Sequence, residues 1–290
     1  MGTLVAMKYP TALFLKAADH TYVQCGTGAV AWSCWGGKTG GTAFNSGTGS
    51  TNRANSIAQK NERAGITCYL VNGVCHQAAN RILLPANILV IGARGYSISS
   101  AIFGVYGKPG VSWLPCYAPF NTYPDVTGDI SACISLARLA PPKLTLSASD
   151  SSYIRSVKQT YNRFEAEKAT RLQSMQFQVG LFDQEVRYKL GDKLGATAVQ
   201  GLRLAKETTE LLHLNIVESF ANKEMKPAEF IKAFNKMTLD FQDDLASAIT
   251  DKQYRAMFDL KRDERVVLAD PAIVESLYGK ATVKEVYGNL

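Results

Sequence analysis

The chain has 290 residues, of which 46% are hydrophobic, with 32 Lys and Arg against 25 Asp and Glu. That length supports one large domain or two modest ones with a buried core. It contains no run of about 20 apolar residues for a membrane helix and no Lys/Arg cluster interleaved with aromatics of the kind that binds nucleic acid.

The whole net charge of +7 belongs to the first half, where residues 1–149 carry 11 Lys and Arg against 4 Asp and Glu. All six cysteines, Cys25, Cys34, Cys68, Cys75, Cys116 and Cys133, lie there too. Their spacing contains no C-x-x-C pair, which excludes a zinc ribbon and a thioredoxin motif. Cys116 and Cys133 flank a Pro-, Tyr- and Asn-rich segment and are candidates for a disulfide. The first residues lack a basic stretch followed by an apolar one, so no signal peptide is read. The Gly/Ser/Thr/Asn-rich composition around residues 26–56 leans slightly toward a secreted or periplasmic protein.

In chain order, short strands are predicted over 12–15, 21–24, 30–34, 66–71, 88–93 and 102–106. Glycines between Gly36 and Gly49 mark a long flexible loop. A turn at Asn72-Gly73 follows the 66–71 strand, and good helix formers then run from near His76 to Pro85. Residues 109–124 read as irregular. After Pro141-Pro142 the pattern becomes helical, over 153–179, 196–220 and 228–249, with Pro227 in a first turn. A further helix starts at Thr250-Asp251, and a shorter one follows Asp270-Pro271. Gly180, Gly191, Gly195 and Gly279 are read as helix stops. The predicted fold class is α+β, divided into an α+β domain over 1–145 and a helical region over 146–290.

Cys75 sits where the predicted strand meets the predicted helix. A thiol at a helix N-terminus faces unpaired backbone N–H groups and the positive end of the dipole, which favour the thiolate. Of three histidines, His20 opens the β-like stretch D-H-T-Y-V-Q-C. Neighbours on a helix diverge by about 100°, so His76, next to Cys75, is poorly placed as its base. It can line the cleft or cap the helix. His213, in L-L-H-L-N-I-V, reads as a packing residue. A zinc site from His20, Cys25, Cys75 and His76 is chemically conceivable, but no spacing demands it. Gly37-Lys38-Thr39 lacks the upstream glycine of a phosphate-binding loop, the position five earlier being Trp32. No metal or cofactor is therefore expected.

Three segments, D-H-T-Y-V-Q-C, A-V-A-W-S-C-W-G-G and N-G-V-C-H-Q-A-A-N-R-I-L, together resemble a circularly permuted papain-like domain of the NlpC/P60 superfamily. There the histidine strand precedes the cysteine helix, and the likeness covers about residues 12–107. It implies an antiparallel sheet carrying a catalytic helix, and a thiol hydrolase or acyl/amide transferase acting on a peptide, protein or cell-wall amide. In that family Cys75 is the nucleophile and His20 the base, with a polar group on the adjacent strand orienting the histidine. Of Trp32, Ser33, Cys34 and Trp35, only Ser33 is a conventional partner. Gln24 lies on the face of His20, whereas Asp19 points the other way. The competing expectation is a secreted, non-enzymatic binding protein with structural disulfides.

Overall fold

A computed structural model describes residues 1–11, 17–26, 28, 30–33, 35–63, 69–108, 146–163, 171–191, 194–221, 224–278 and 280–287. The predicted strand at 12–15, four of the cysteines (Cys34, Cys68, Cys116 and Cys133) and the boundary at 145 lie outside these residues.

The chain is α+β. A four-stranded antiparallel sheet contains β1 (Gly2–Pro10), β2 (Asp19–Cys25), β3 (Ala31–Trp32) and β4 (Thr42–Gly49), in the order β3-β2-β1-β4. Strand β2 is central, and in its register His20 faces Tyr9 and Tyr22 faces Met7 across to β1. Because side chains alternate along a strand, Tyr9, His20 and Tyr22 share one face. Leu4, Ala6 and Val23 take the other, where they form a core with Ala54, Ala79 and Ile82. These last residues come from α1 (Thr51–Arg63) and α2 (Cys75–Ile82).

Helix α3 (Tyr96–Phe103) follows, then α4 (Ser152–Arg163), α5 (Arg171–Leu190), α6 (Ala196–Ala221) and α7 (Pro227–Ala248). The chain ends with α8 (Asp251–Phe258), α9 (Pro271–Tyr278) and α10 (Lys280–Tyr287). Local signals explain the clearest boundaries. Pro227 opens α7, where its missing N–H costs nothing. Thr250 and Gln253 form a reciprocal cap at the start of α8. The main core draws on both halves of the chain, packing Tyr69, Ile98 and Phe103 with Phe182, Phe234 and Phe241.

Several predicted elements are corrected. The 102–106 strand is in fact the end of α3 and a turn, and 88–93 has no strand. The Y-S-I-S-S-A-I-F stretch is rich in strand formers, yet it is buried on nearly every side as a helix. Its Ser99 hydroxyl bonds back to Tyr96 O, so burial overrides propensity. Residues 69–73 form a turn, with Leu70 at φ 64. The glycine-rich stretch read as wholly flexible contains β4, which pairs along β1. The glycines suit this strand because a Cβ on Gly49 would lie 2.6 Å from Pro85 O. Gly180 stands inside α5 and does not stop it.

Candidate active site

The local sequence determines where the thiol stands. The turn at 69–73 ends in Val74, whose N–H is capped by the Gln77 side chain at 3.1 Å, so Cys75 becomes the first residue of α2. In that position its backbone N–H has no partner within the helix. The tip of α2 meets the start of β2, and Cys75 Sγ lies 3.9 Å from Asp19 O. The helix is held there by His76, whose Nε2 bonds the same carbonyl at 2.9 Å while Nδ1 meets Ser99 Oγ at 2.8 Å. His76 is thus fully buried with both nitrogens engaged. It is neither a cleft residue nor a helix cap, because its rotation along the helix turns it inward. Burial keeps it neutral, with its pKa lowered to about 4.

His20 is 0% and Cys75 6% exposed. Nε2 of His20 is 2.9 Å from Gly37 O, which fixes a proton on that nitrogen. Nδ1 is buried without a hydrogen bond and lies 3.5 Å from Asp270 Oδ2, itself equally unpartnered. That spacing is an ion-pair contact too long for a formed hydrogen bond. Burial opposes a charge on the ring. The opposing pull of the Cys75 sulfur, followed by that of the Asp270 carboxylate, prevails and raises His20 to about 10. The structure therefore brings Cys75, His20 and Asp270 together. Cys75 and Cys25 are free thiols.

Ser33 stands near the histidine but holds a lesser place than expected. Its hydroxyl donates to Trp35 O at 2.5 Å and is 3.4 Å from His20 Nε2, farther than the Gly37 carbonyl. Asp19 faces away, as expected, accepting from Arg94 N at 2.9 Å. Asp270 was legible in the sequence only as a helix start. It does fill that role, with Oδ1 accepting from Ala272 N at 2.8 Å, which leaves Oδ2 for the histidine. Tyr69 ties the backbone before α9 to the cysteine turn, its hydroxyl accepting from Asp270 N at 2.6 Å and donating to Leu268 O at 3.3 Å.

Beneath the turn lies a buried ionic group that sequence reading missed. Lys108 Nζ bonds Glu210 Oε2 and His213 Nδ1, each at 2.7 Å, and Lys206 pairs with the other oxygen of Glu210. His213 Nε2 then donates to Leu70 O at 2.8 Å. His213 is a buried packing residue as predicted, its ring edge-on to Phe103 and Phe234, and both its nitrogens are hydrogen-bonded as well. Burial, with Lys108 adding to it, lowers its pKa to about 3. Among the described residues no cluster of three or more His, Cys, Asp or Glu has the arrangement to hold a metal ion.

These histidines set the pH dependence of stability. In the unfolded chain each titrates near its ordinary value of about 6.5. Below that pH the unfolded state binds protons that folded His76 and His213 refuse, so stability falls toward about pH 4 and about pH 3 respectively. His20 has the opposite sign: its contribution is complete below about 6.5 and is lost as pH rises through about 10. Urea midpoints measured from pH 4 to 10 should therefore peak near neutrality. A midpoint that stays level between pH 7 and 4 would rule out neutral buried histidines.

No protein-family model, curated protein or solved structure matches the chain.

Proposed function

We propose that this protein is a cysteine-dependent hydrolase or acyl/amide transferase of permuted papain-like type. The supporting observation is a free thiol at a helix tip beside a fully buried imidazole that is anchored on one nitrogen and open on the other. In this reading His20 keeps the Cys75 proton on Nδ1, and Asp270 stabilises the resulting imidazolium. The sulfur anion attacks a carbonyl carbon, and the first amides of α2, including that of Cys75, receive the developing oxyanion. As the bond to the leaving amine or alcohol breaks, His20 returns the proton to it. Water or an acceptor amine then attacks the thioester, losing a proton to His20, and the sulfur is released. Amide, ester and thioester carbonyls of a peptide, protein or cell-wall polymer all suit this chemistry.

The test is alkylation of Cys75 by iodoacetamide, followed by mass spectrometry of the peptide that bears it. Wild type should react fast and nearly independently of pH between 6 and 8. His20→Ala should react at least about tenfold more slowly at pH 7 and accelerate toward pH 9, as an ordinary thiol does. Equal rates in the two proteins would remove the catalytic pair.

A further inference from the structure

The face of the sheet that carries His20 also carries two tyrosines, and both reach the glycine-rich loop after β3. Tyr9 accepts a hydrogen bond from Gly37 N at 3.2 Å, and Tyr22 accepts one from Gly41 N at 3.1 Å. The two bonds differ in consequence. Gly37 is the residue whose carbonyl holds His20 Nε2, whereas Gly41 lies four residues farther along the loop. Gly37 is therefore gripped at both of its backbone groups, its N–H by Tyr9 and its C=O by His20. The Tyr9 ring lies against the imidazole, with centroids 4.8 Å apart, and faces it directly across the β1–β2 register.

We propose that Tyr9 is a positioning residue for the reaction: by anchoring Gly37 it sets the carbonyl that orients His20 toward Cys75. This inference rests on the cysteine–histidine reading above. Ser33 donates its hydroxyl to Trp35 O, and Tyr22 holds the far end of the loop. The phenol suits the task because it stays neutral. Burial, then the charges of Asp270 and Cys75, raise its pKa to about 12, so the oxygen remains an acceptor for Gly37 N without bringing a further anion to the site. The other titratable groups around His20 are Cys75 and His76 on α2, Tyr22 on β2 and Asp270 before α9.

The experiment compares iodoacetamide alkylation of Cys75 in full-length wild type, Tyr9→Phe and Tyr22→Phe across pH 6–9, with thermal melting alongside. Tyr9→Phe should slow alkylation at pH 7 about tenfold, the scale expected when a reacting group is displaced by a fraction of an ångström. Its rate should acquire the alkaline rise of an unassisted thiol. Tyr22→Phe, which removes the same kind of bond four residues farther on, should keep the wild-type rate and profile. A wild-type rate in Tyr9→Phe, or equal slowing in both variants, overturns the role of Tyr9 while leaving the cysteine–histidine pair intact. Slow, pH-dependent alkylation already in wild type overturns that pair itself. If Tyr9→Phe does not fold, 3-fluorotyrosine at position 9 weakens the acceptor while keeping its shape. It should give a smaller slowing of the same kind, and an unchanged rate overturns the proposal.

Discussion

Gly36→Ala should inactivate the candidate site more completely than any change outside Cys75 and His20 themselves. Gly36 has φ +72, a left-handed conformation that costs an L-residue roughly 1–2 kcal/mol. The larger effect is contact, because an added Cβ would lie 2.7 Å from His20 Cε1 and 3.1 Å from Nδ1. His20 has no room to yield, being fully buried against Tyr9 and Tyr22. Either the imidazole rotates away from Cys75, or the loop lifts and Gly37 O leaves Nε2. Both outcomes separate the proton acceptor from the sulfur. Alkylation of Cys75 at pH 7 should fall about 10- to 30-fold, the range between an assisted thiolate and an ordinary thiol of pKa about 8.5. A rate within threefold of wild type would show that the ring tolerates displacement, and would weaken the case for a positioned base.

Glu210→Ala should be the most destabilising substitution away from that pair. It strands Lys108 and Lys206 in the interior, where both side chains are almost wholly enclosed. Burial already pushes Lys108 down to about 8 despite the Glu210 carboxylate beside it. Removing one partner of a buried charge group costs about 3–5 kcal/mol, since an uncompensated charge remains. Urea unfolding at pH 7 measures this directly. Replacing Lys108, Lys206 and Glu210 together by methionine should cost far less, because no charge is then left alone. A single-substitution loss under about 1 kcal/mol would mean that water reaches the cluster. The cluster also bears on function. Through His213 it holds the carbonyl of Leu70 in the left-handed turn that presents Cys75.

The segments D-H-T-Y-V-Q-C and N-G-V-C-H-Q-A-A-N-R-I-L were legible because their physics is local. D-H-T-Y-V-Q-C is rich in strand formers, and it is β2. Asn72-Gly73 followed by helix formers places Cys75 at the first position of α2. The helices after 150 were readable from their apolar period and their caps. Elements whose identity depends on surroundings were misread. The strand formers of α3 are helical because they are enclosed, and the glycines of β4 pair because β1 and the 85–88 segment press on them.

The sequence by itself determined that a thiol would stand at a helix tip and that a histidine would stand on a strand. Both follow from hydrogen-bonding and turn rules that act within a few residues. Only the tertiary structure decided what surrounds that histidine. Tyr9 reaches His20 across the β1–β2 pair and Gly37 from the loop after β3, but Asp270 comes from the far end of the chain, and no spacing rule links it to His20. It arrives because the core shared by both halves packs the 266–270 segment beside β2, where Ala18 N bonds Val267 O at 3.0 Å. Backbone pairing of that kind is set by which apolar surfaces exclude water together, a property of the whole chain.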